Sequence, residues 1–249
     1  MKRDLFDYQN QYQEQPYERF QVMFRKRKLL DILSRYKHNA ILEVGCGLEP
    51  LFLELHDFEK LVVIEPAPHF FKNAVQKQAN SALKNKITLL NHDLAGSTDE
   101  LKKMRFNFIV VSSLLHEISD PGIFLKQVHS IANDETVIHI NVPNAKSFHR
   151  LLAVEMGLIR DEFEKSQSNI QFQQSTVFDL DLLKRLVTSS GFQVIEEGSF
   201  SFKPFTHGQM EDMIQANLLN EKILNGLYKM ERYLPLLGSE IFLNVKKVT

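Results

Sequence analysis

Apolar residues in this chain fall into two kinds of pattern. Short β-branched or wholly apolar runs predict strands at 40–44, 60–65, 87–91, 106–112, 136–142, 192–196 and 240–245. Helical spacing predicts helices at 16–36, 68–82, 121–132 and 178–190, and two more near 208–220 and 221–233. This order indicates an α/β fold, and the run 106–112 is so uniformly apolar that we place it at the centre of the sheet.

The strand at 40–44 is followed by a turn that contains Gly45 and Gly47. Glycines at this spacing let the backbone turn sharply and let a ligand approach closely. An apolar pattern resumes at 51–55, so we predict a helix there whose free N–H groups face the ligand. A strand, a glycine turn and a helix in this order predict a nucleotide-binding turn.

Three neighbouring residues narrow the choice of ligand. Pro50 stands where a dinucleotide-binding fold has a third glycine, and proline offers no N–H to a pyrophosphate, which disfavours NAD. Glu43, near the end of the strand, attracts a cation rather than a diphosphate. Glu65 ends the next strand, and one strand-helix-strand unit brings it beside the glycines, where a carboxylate accepts from both ribose hydroxyls. The alternative is an acid that simply stays solvated.

The sequence at 41–47 resembles the first motif of the class I S-adenosylmethionine-dependent methyltransferases, usually written Glu/Asp-x-Gly-x-Gly-x-Gly, with Glu49 in place of the third glycine. After the central strand, Leu115-His116-Glu117 and then Asp120-Pro121 resemble the fourth motif of that family. The resemblance covers residues 40–144. It implies a Rossmann-like sheet of seven strands, mostly parallel with the last strand antiparallel, with helices on both faces and a helical cap.

The same resemblance implies S-adenosyl-L-methionine as the cofactor. Asp93 stands where the family has an acid that accepts from the adenine amino group, although an aspartate there also suits the cap of the next turn. The expected cofactor-binding residues are Glu43, Gly45, Cys46, Gly47, Glu65, Pro66, Asp93, Leu94 and Ser112.

Methyl transfer to an oxygen also requires the loss of a proton. His116 is the candidate catalytic base, because it follows the central strand where the family passes the methyl group and because imidazole titrates near neutrality. Glu117 is expected to orient it. The alternative is a His116 that only packs or bonds to backbone.

Segments outside these motifs are expected to cover the site within a single domain, 1–249. They are a leading helical lid at 1–37 and cap insertions at 145–176 and 204–238. Asn144, His149 and His207 lie in or beside the cap and are the expected contacts of a polyhydroxyl acceptor, the alternative being polar groups satisfied within their own loops. The stretches 142–150 and 202–207 are similar to those of methyltransferases linked to bacterial surface-sugar synthesis, which implies a sugar-like acceptor.

Composition restricts the remaining possibilities. A chain of 249 residues, 43% of them apolar, buries one sizeable core. A net charge of −1, and the lack of an Asn/Asp-Pro-Pro-aromatic motif after the central strand, argue against nucleic acid as a partner. Cys46 is the only cysteine, and no Cys/His cluster has zinc spacing, so no metal is expected.

The sequence also predicts where the protein is located and which residues face the solvent. The start of the chain lacks the apolar run of a signal peptide, and no stretch is apolar enough to cross a bilayer, so we expect a cytoplasmic protein and leave oligomerisation open. Residues 8–15 are polar and predict a loop. The basic run 25–28 is interpreted as a solvated helix face, the alternative being contact with a carboxylate or a phosphate.

Three functions therefore compete. The leading hypothesis is a methyltransferase that acts on a hydroxyl of a small molecule. The second is a catalytically silent module that binds the cofactor and a partner enzyme, suggested by Glu49 in the turn. The third is an NAD-dependent oxidoreductase, disfavoured by Pro50.

Overall fold

The computed structural model describes residues 16–248 and contains a seven-stranded sheet. The predictions for residues 1–15, a loop at 8–15 and the first part of the lid, lie outside the described residues. The strand order is β3-β2-β1-β4-β5-β7-β6, and β7 is antiparallel to both of its neighbours. The strands are β1 (Ala40–Val44), β2 (Lys60–Ile64), β3 (Ile87–Leu90), β4 (Phe108–Ser112), β5 (Val137–Pro143), β6 (Phe192–Phe200) and β7 (Glu240–Lys247).

Nine helices surround the sheet in the described part of the chain. They are α1 (Pro16–Leu33), α2 (Pro68–Ala79), α3 (Leu94–Leu101), α4 (Pro121–Ile131), α5 (Phe148–Glu155), α6 (Gln167–Gln171), α7 (Leu180–Ser189), α8 (His207–Gln215) and α9 (Glu221–Lys229). The fold class is confirmed: a Rossmann-like sheet, mostly parallel, with the last strand antiparallel and helices on both faces. The run predicted to be central forms β4, which is buried between β1 and β5.

The two faces of the sheet carry separate apolar layers. One layer joins the sheet to α3, α4 and α7, with Leu125, Val128 and Val187 among its buried side chains. The other joins it to α1, α8 and α9. Because the strand order reverses between β1 and β4, the carboxyl ends of these two strands form the switch point at which open α/β sheets bind ligands.

One predicted helix is wrong. Residues 51–55 form only a 3₁₀ turn, Leu51–Leu53, and the chain then re-enters the sheet at Lys60. The connection is too short for a full crossover helix, and the N–H of Leu51 donates to both carboxylate oxygens of Glu43 at 3.1 Å instead of facing a ligand. The missing helical cover on this face is supplied by α1, which precedes the sheet in sequence.

Two other elements differ from the predictions. The helix α3 forms over a mixed polar sequence because the carboxylate of Asp93 caps it, accepting from the N–H of Gly96 at 2.8 Å. Strand β6 continues to Phe200, past an irregularity between Val194 and Glu196. Its outer residues are exposed, as an edge strand permits, and so the apolar pattern stops before the strand does.

Candidate active site

A large cavity lies at the carboxyl ends of β1, β2, β4 and β5. Its volume is about 1430 Å³, and its walls include the glycine turn, the ends of these strands, α1 and the cap segments. Small-molecule pockets commonly hold about 300–1,000 Å³. The cavity therefore has room for a nucleoside-sized cofactor and an acceptor together.

The glycine turn and Glu65 form one unit. One carboxylate oxygen of Glu65, Oε2, accepts from the N–H groups of Cys46 at 3.0 Å and Gly47 at 3.1 Å, and Oε1 accepts from the N–H of Ala67 at 2.9 Å. Glu65 is only 5% exposed. A carboxylate has about four acceptor positions, so three N–H donors hold it directly under the turn and leave acceptor capacity toward the cavity.

The electrostatics of this unit follow from its burial. Burial raises the pKa of the Glu65 carboxyl, while the N–H groups of Ala67, Gly47 and Cys46 act against that rise. Burial, followed by the charges of Glu43 and Glu65, raises the pKa of the Cys46 thiol, which therefore remains neutral. Cys46 thus contributes its backbone to the turn rather than a reactive sulfur.

The conformation of the turn requires its two glycines. Gly45 has a φ of +77° and Gly47 a φ of +54°, a region that side chains disfavour. A Cβ built on Gly47 would meet no atom within 4 Å, so the backbone there is open to an approaching ligand. Glu49 is not among the described residues with positive φ, so this turn forms without the third glycine of the motif.

Glu49 instead anchors the turn to two helices. Its carboxylate pairs with Lys26 of α1 at 3.0 Å and with Lys77 of α2 at 2.9 Å, and Lys26 also reaches Glu54 at 2.9 Å. The interpretation of residues 25–28 as a solvated face was therefore wrong for most of the run. Lys26 is buried, and of the four residues only Arg27 is exposed.

Glu43 lies beneath the turn and is 6% exposed, at the edge of the cavity. Its only donor among the described residues is the N–H of Leu51. Burial raises the pKa of this carboxyl to about 8, against the N–H of Leu51 and the charge of Lys26, which lower it. Glu43 is therefore largely protonated at neutral pH, and it supports the turn rather than presenting a full negative charge.

The remaining predicted cofactor residues also lie along the cavity wall. Asp93 caps α3, as the alternative prediction had it, and it lines the cavity as well. Pro66, Leu94 and Ser112 line the same cavity. The structure thus brings the entire predicted cofactor set to one surface.

His116 is placed at the cavity by a 3₁₀ turn, Leu115–Glu117, that follows β4. The turn begins after Ser113, whose φ of +51° is unusual for a residue with a side chain. His116 is 3% exposed, and its Nε2 lies 3.8 Å from Oε1 of Glu117, which is beyond hydrogen-bond range but near enough for the charge to be felt. The backbone oxygen of His116 accepts from the N–H groups of Ser175 and Thr176, which ties the cap to this turn.

The predicted acceptor residues behave differently from one another. The side-chain amide of Asn144 donates to the backbone oxygens of Leu236 and Gly238 and accepts from the N–H of Lys146. These bonds hold the chain before β7, so we leave Asn144 out of the proposed acceptor contacts. All three predicted acceptor residues, Asn144, His149 and His207, line the cavity.

Sequence reasoning missed Lys203, a buried cation at the same wall. It lies in the stretch 202–207, from which the sequence analysis drew only His207 as a candidate contact. Among the residues that the structure describes, no group of three or more His, Cys, Asp or Glu is arranged to hold a metal ion. None of the helices described between residues 16 and 248 combines the length and apolarity that crossing a membrane needs.

Comparison with known proteins was made at the level of sequence and of structure. Residues 16–197 match the protein family described as Methyltransferase domain. A search of curated proteins found no matching relative. The family match covers most of the chain, including the glycine turn, Glu65 and His116.

Solved structures share the fold at low identity. A SAM-dependent methyltransferase from Archaeoglobus fulgidus is 18% identical, with a TM-score of 0.56 over 93% of this chain and 100% of its own. The plantazolicin methyltransferase BamL, solved with a triazolic desmethylPZN analog and SAH, is 12% identical, with a TM-score of 0.57 over 93% and 88%. The [4+2]-cyclase SpnF is 12% identical, with a TM-score of 0.58 over 89% and 80%. At these identities the similarity shows the fold, and a fold hosts more than one reaction.

Proposed function

Because this chain belongs to the methyltransferase domain family, we propose that it transfers a methyl group from S-adenosylmethionine to a hydroxyl of a small, sugar-like acceptor. The chain is a methyltransferase, and S-adenosylmethionine is its methyl donor. The nature of the acceptor, the atom that is methylated and the residues that act on it are our proposal.

The observation that carries the proposal is the position of Glu65 under the turn of Gly45 and Gly47. A buried carboxylate with remaining acceptor capacity suits the vicinal hydroxyls of a ribose. The open backbone of Gly47 suits close approach of the rest of the cofactor. The donor and acceptor groups present therefore fit an adenosine-containing cofactor.

In this proposal the chain contributes alignment, exclusion of water and proton removal. Bound S-adenosylmethionine supplies a methyl group on a positively charged sulfur. Glu65 and the glycine turn fix the position of the cofactor, and good positioning supplies on the order of 7–11 kcal/mol of the barrier. The walls formed by α1 and the cap limit the access of water from their sides of the cavity.

His116 is the proposed general base for the acceptor hydroxyl. It lies at the cavity directly after β4, and Glu117 is near enough to favour its charged form once it has taken a proton. A positioned base contributes roughly a hundred- to ten-thousand-fold to rate. His149 and His207 supply polar contacts for a hydroxyl-rich acceptor.

The site geometry gives less support to the two other hypotheses, the silent module and the oxidoreductase. The silent-module hypothesis drew on Glu49, and the turn keeps its form with glutamate at that position because no positive φ is needed there. The oxidoreductase hypothesis needs backbone donors for a pyrophosphate, and Pro50 has none to give. If the protein bound S-adenosylmethionine but transferred no methyl group to any member of a broad panel of acceptors, the result would support the silent-module hypothesis.

Calorimetry with S-adenosylhomocysteine tests the cofactor site. We expect the wild type to bind it and Glu65→Gln to bind it at least tenfold more weakly, because an amide presents N–H groups to the N–H donors of the turn. Glu59→Gln makes the same charge change at an exposed position and should bind normally. Failure of the wild type to bind would remove the proposed function.

Mass spectrometry of a cell extract incubated with labelled methyl donor identifies the acceptor. With that acceptor, His116→Gln should turn over roughly a hundred- to ten-thousand-fold more slowly and keep its affinity for S-adenosylhomocysteine. An unchanged rate would make His116 a structural residue.

A further inference from the structure

The wall of the cavity opposite the glycine turn carries a buried cation that has no direct partner among residues 16–248. Lys203 is 7% exposed and lines the cavity. Among the described residues, no oxygen lies within hydrogen-bond or ion-pair distance of its ammonium group, and its nearest aromatic contact is the ring of Tyr17 at 5.9 Å. A buried charge is costly unless it is paired, so a bound ligand with a negative charge would stabilise this arrangement.

The carboxylates closest to Lys203 are already engaged. Glu240 accepts from the guanidinium of Arg25, and Glu18 pairs with the same guanidinium at 3.5 Å. Their charges reach Lys203 only through space, while Arg25 and Arg150 add positive charge around it. Within the described part of the chain, Lys203 is therefore a cation that no direct contact compensates.

Two imidazoles lie close to Lys203. Burial first, and the charge of Lys203 second, lower the pKa of His207 to about 4 and hold that of His149 well below its usual value. Both rings are therefore neutral at pH 7. The Nδ1 of His149 is buried without a partner among the described residues, so it adds a second polar atom that the protein does not satisfy.

We infer that Lys203, assisted by His149 and His207, binds an anionic group, a carboxylate or a phosphate, carried by the methyl acceptor. This inference rests on the proposed function and narrows its substrate class: the acceptor is a hydroxyl compound that also bears a negative charge. Arg150 strengthens the site electrostatically, although its own guanidinium is held by the backbone oxygens of Glu162 and Glu164.

The cofactor also carries a carboxylate, and the layout of the sheet argues that it is not the group bound here. The stretch that holds Lys203 is joined to the segment before β7, because the N–H of Ser239 donates to the oxygen of Ser201 at 2.9 Å. In the sheet, β7 is three strands away from β1, or about 14 Å at the usual strand spacing. The glycine turn follows β1, so the two ends of the cavity are served by different elements.

Calorimetric titration with inorganic phosphate tests the inference. The wild type, Lys203→Met, Lys203→Arg and Lys184→Met are titrated with and without S-adenosylhomocysteine, at an ionic strength held constant with chloride. Lys184 is a partly exposed lysine paired with Glu197, so its variant controls for the loss of one positive charge.

We expect saturable phosphate binding by the wild type and by Lys184→Met, at least tenfold weaker binding by Lys203→Met, and affinity within threefold of the wild type for Lys203→Arg. All four proteins should bind S-adenosylhomocysteine within twofold of one another. Melting curves check folding, and Lys203→Met should melt no lower than the wild type in phosphate-free buffer, since it removes an unpaired buried charge.

Three results would overturn the inference: no saturable phosphate binding by the wild type, equal binding by Lys203→Met, or a tenfold loss of S-adenosylhomocysteine affinity in that variant, which would assign Lys203 to the cofactor. A wild type that binds phosphate but not S-adenosylhomocysteine would support the anion site and overturn the proposed function.

Discussion

Replacing Glu43 by glutamine should stabilise the protein in alkaline solution and not in acid. Burial raises the pKa of this carboxyl from 4.5 to about 8 in the folded chain. The folded state therefore keeps its proton over a range in which the unfolded state releases it. Stability from this source is fully present below pH 4.5, declines as the pH rises, and is lost above about pH 8.

The size of the effect follows from the same values. At about 1.4 kcal/mol for each tenfold change in proton affinity, the loss by pH 9 is about 5 kcal/mol. A glutamine escapes this penalty but buries an amide NH₂ at a cost of about 1–3 kcal/mol. The net gain of about 2–4 kcal/mol at pH 9 corresponds to a rise in Tm of roughly 5–15 °C for a chain of this length.

Thermal melting followed by circular dichroism between pH 5 and pH 9 measures this difference. The Tm of Glu43→Gln minus that of the wild type should grow steadily with pH and be small or negative at pH 5. Glu59→Gln makes the same charge change at an exposed position and should show no such growth. A difference that is the same at pH 5 and pH 9 would refute the reasoning, because the carboxyl would then not be held protonated by burial.

Two further predictions concern contacts that hold the elements around the site in place. Lys26→Met removes the contact of α1 with Glu49 and should weaken S-adenosylhomocysteine binding about three- to tenfold. Lys28→Met, also on α1, loses the pair with Glu231 and the contact with the ring of Phe242, and it should leave this binding unchanged. Equal affinities in the two variants would contradict this prediction. Gly238→Ala should lower the Tm by at least 5 °C, because the added Cβ would stand 2.3 Å from the backbone oxygen of Phe200. Melting curves compare it with Gly226→Ala in α9, where the added Cβ meets nothing within 4 Å and the Tm should rise slightly. A Gly238→Ala variant as stable as the wild type would show that β6 and β7 can separate there.

Patterns that depend on local sequence were read correctly. Strand β4 is apolar at every position but its last, and only the middle of a sheet covered on both faces accepts such a strand. Gly45 and Gly47 both adopt positive φ, which is the property that glycine spacing indicates. Glu65 reached the turn because β1 and β2 pair in parallel with their ends aligned.

Features that depend on distant partners could not be predicted. The run at 25–28 has the composition of a solvated helix face. Lys26 is nevertheless held by Glu49 and Glu54, which follow β1 in the sequence, and no local pattern connects these acids to it. Asn144 has the residue type of a ligand contact, yet its partners are backbone oxygens far along the chain. Lys203 lies in the stretch 202–207 that the resemblance marked, but its lack of a direct ion pair among the described residues could not be predicted. It depends on Glu18 and Glu240, which pair with Arg25 instead.

Helix α1 has a consequence for how molecules enter and leave. Phe24, Leu29, Ile32 and Leu33 are almost completely buried against the sheet, and exposing four such side chains costs about 6–12 kcal/mol. That is comparable to the whole stability of a typical domain, so this helix cannot swing aside during each catalytic cycle. Exchange of spent cofactor therefore does not depend on movement of this helix. Variants with faster release should be sought in α5 and α6, which also line the cavity, rather than in the helix that begins the described chain.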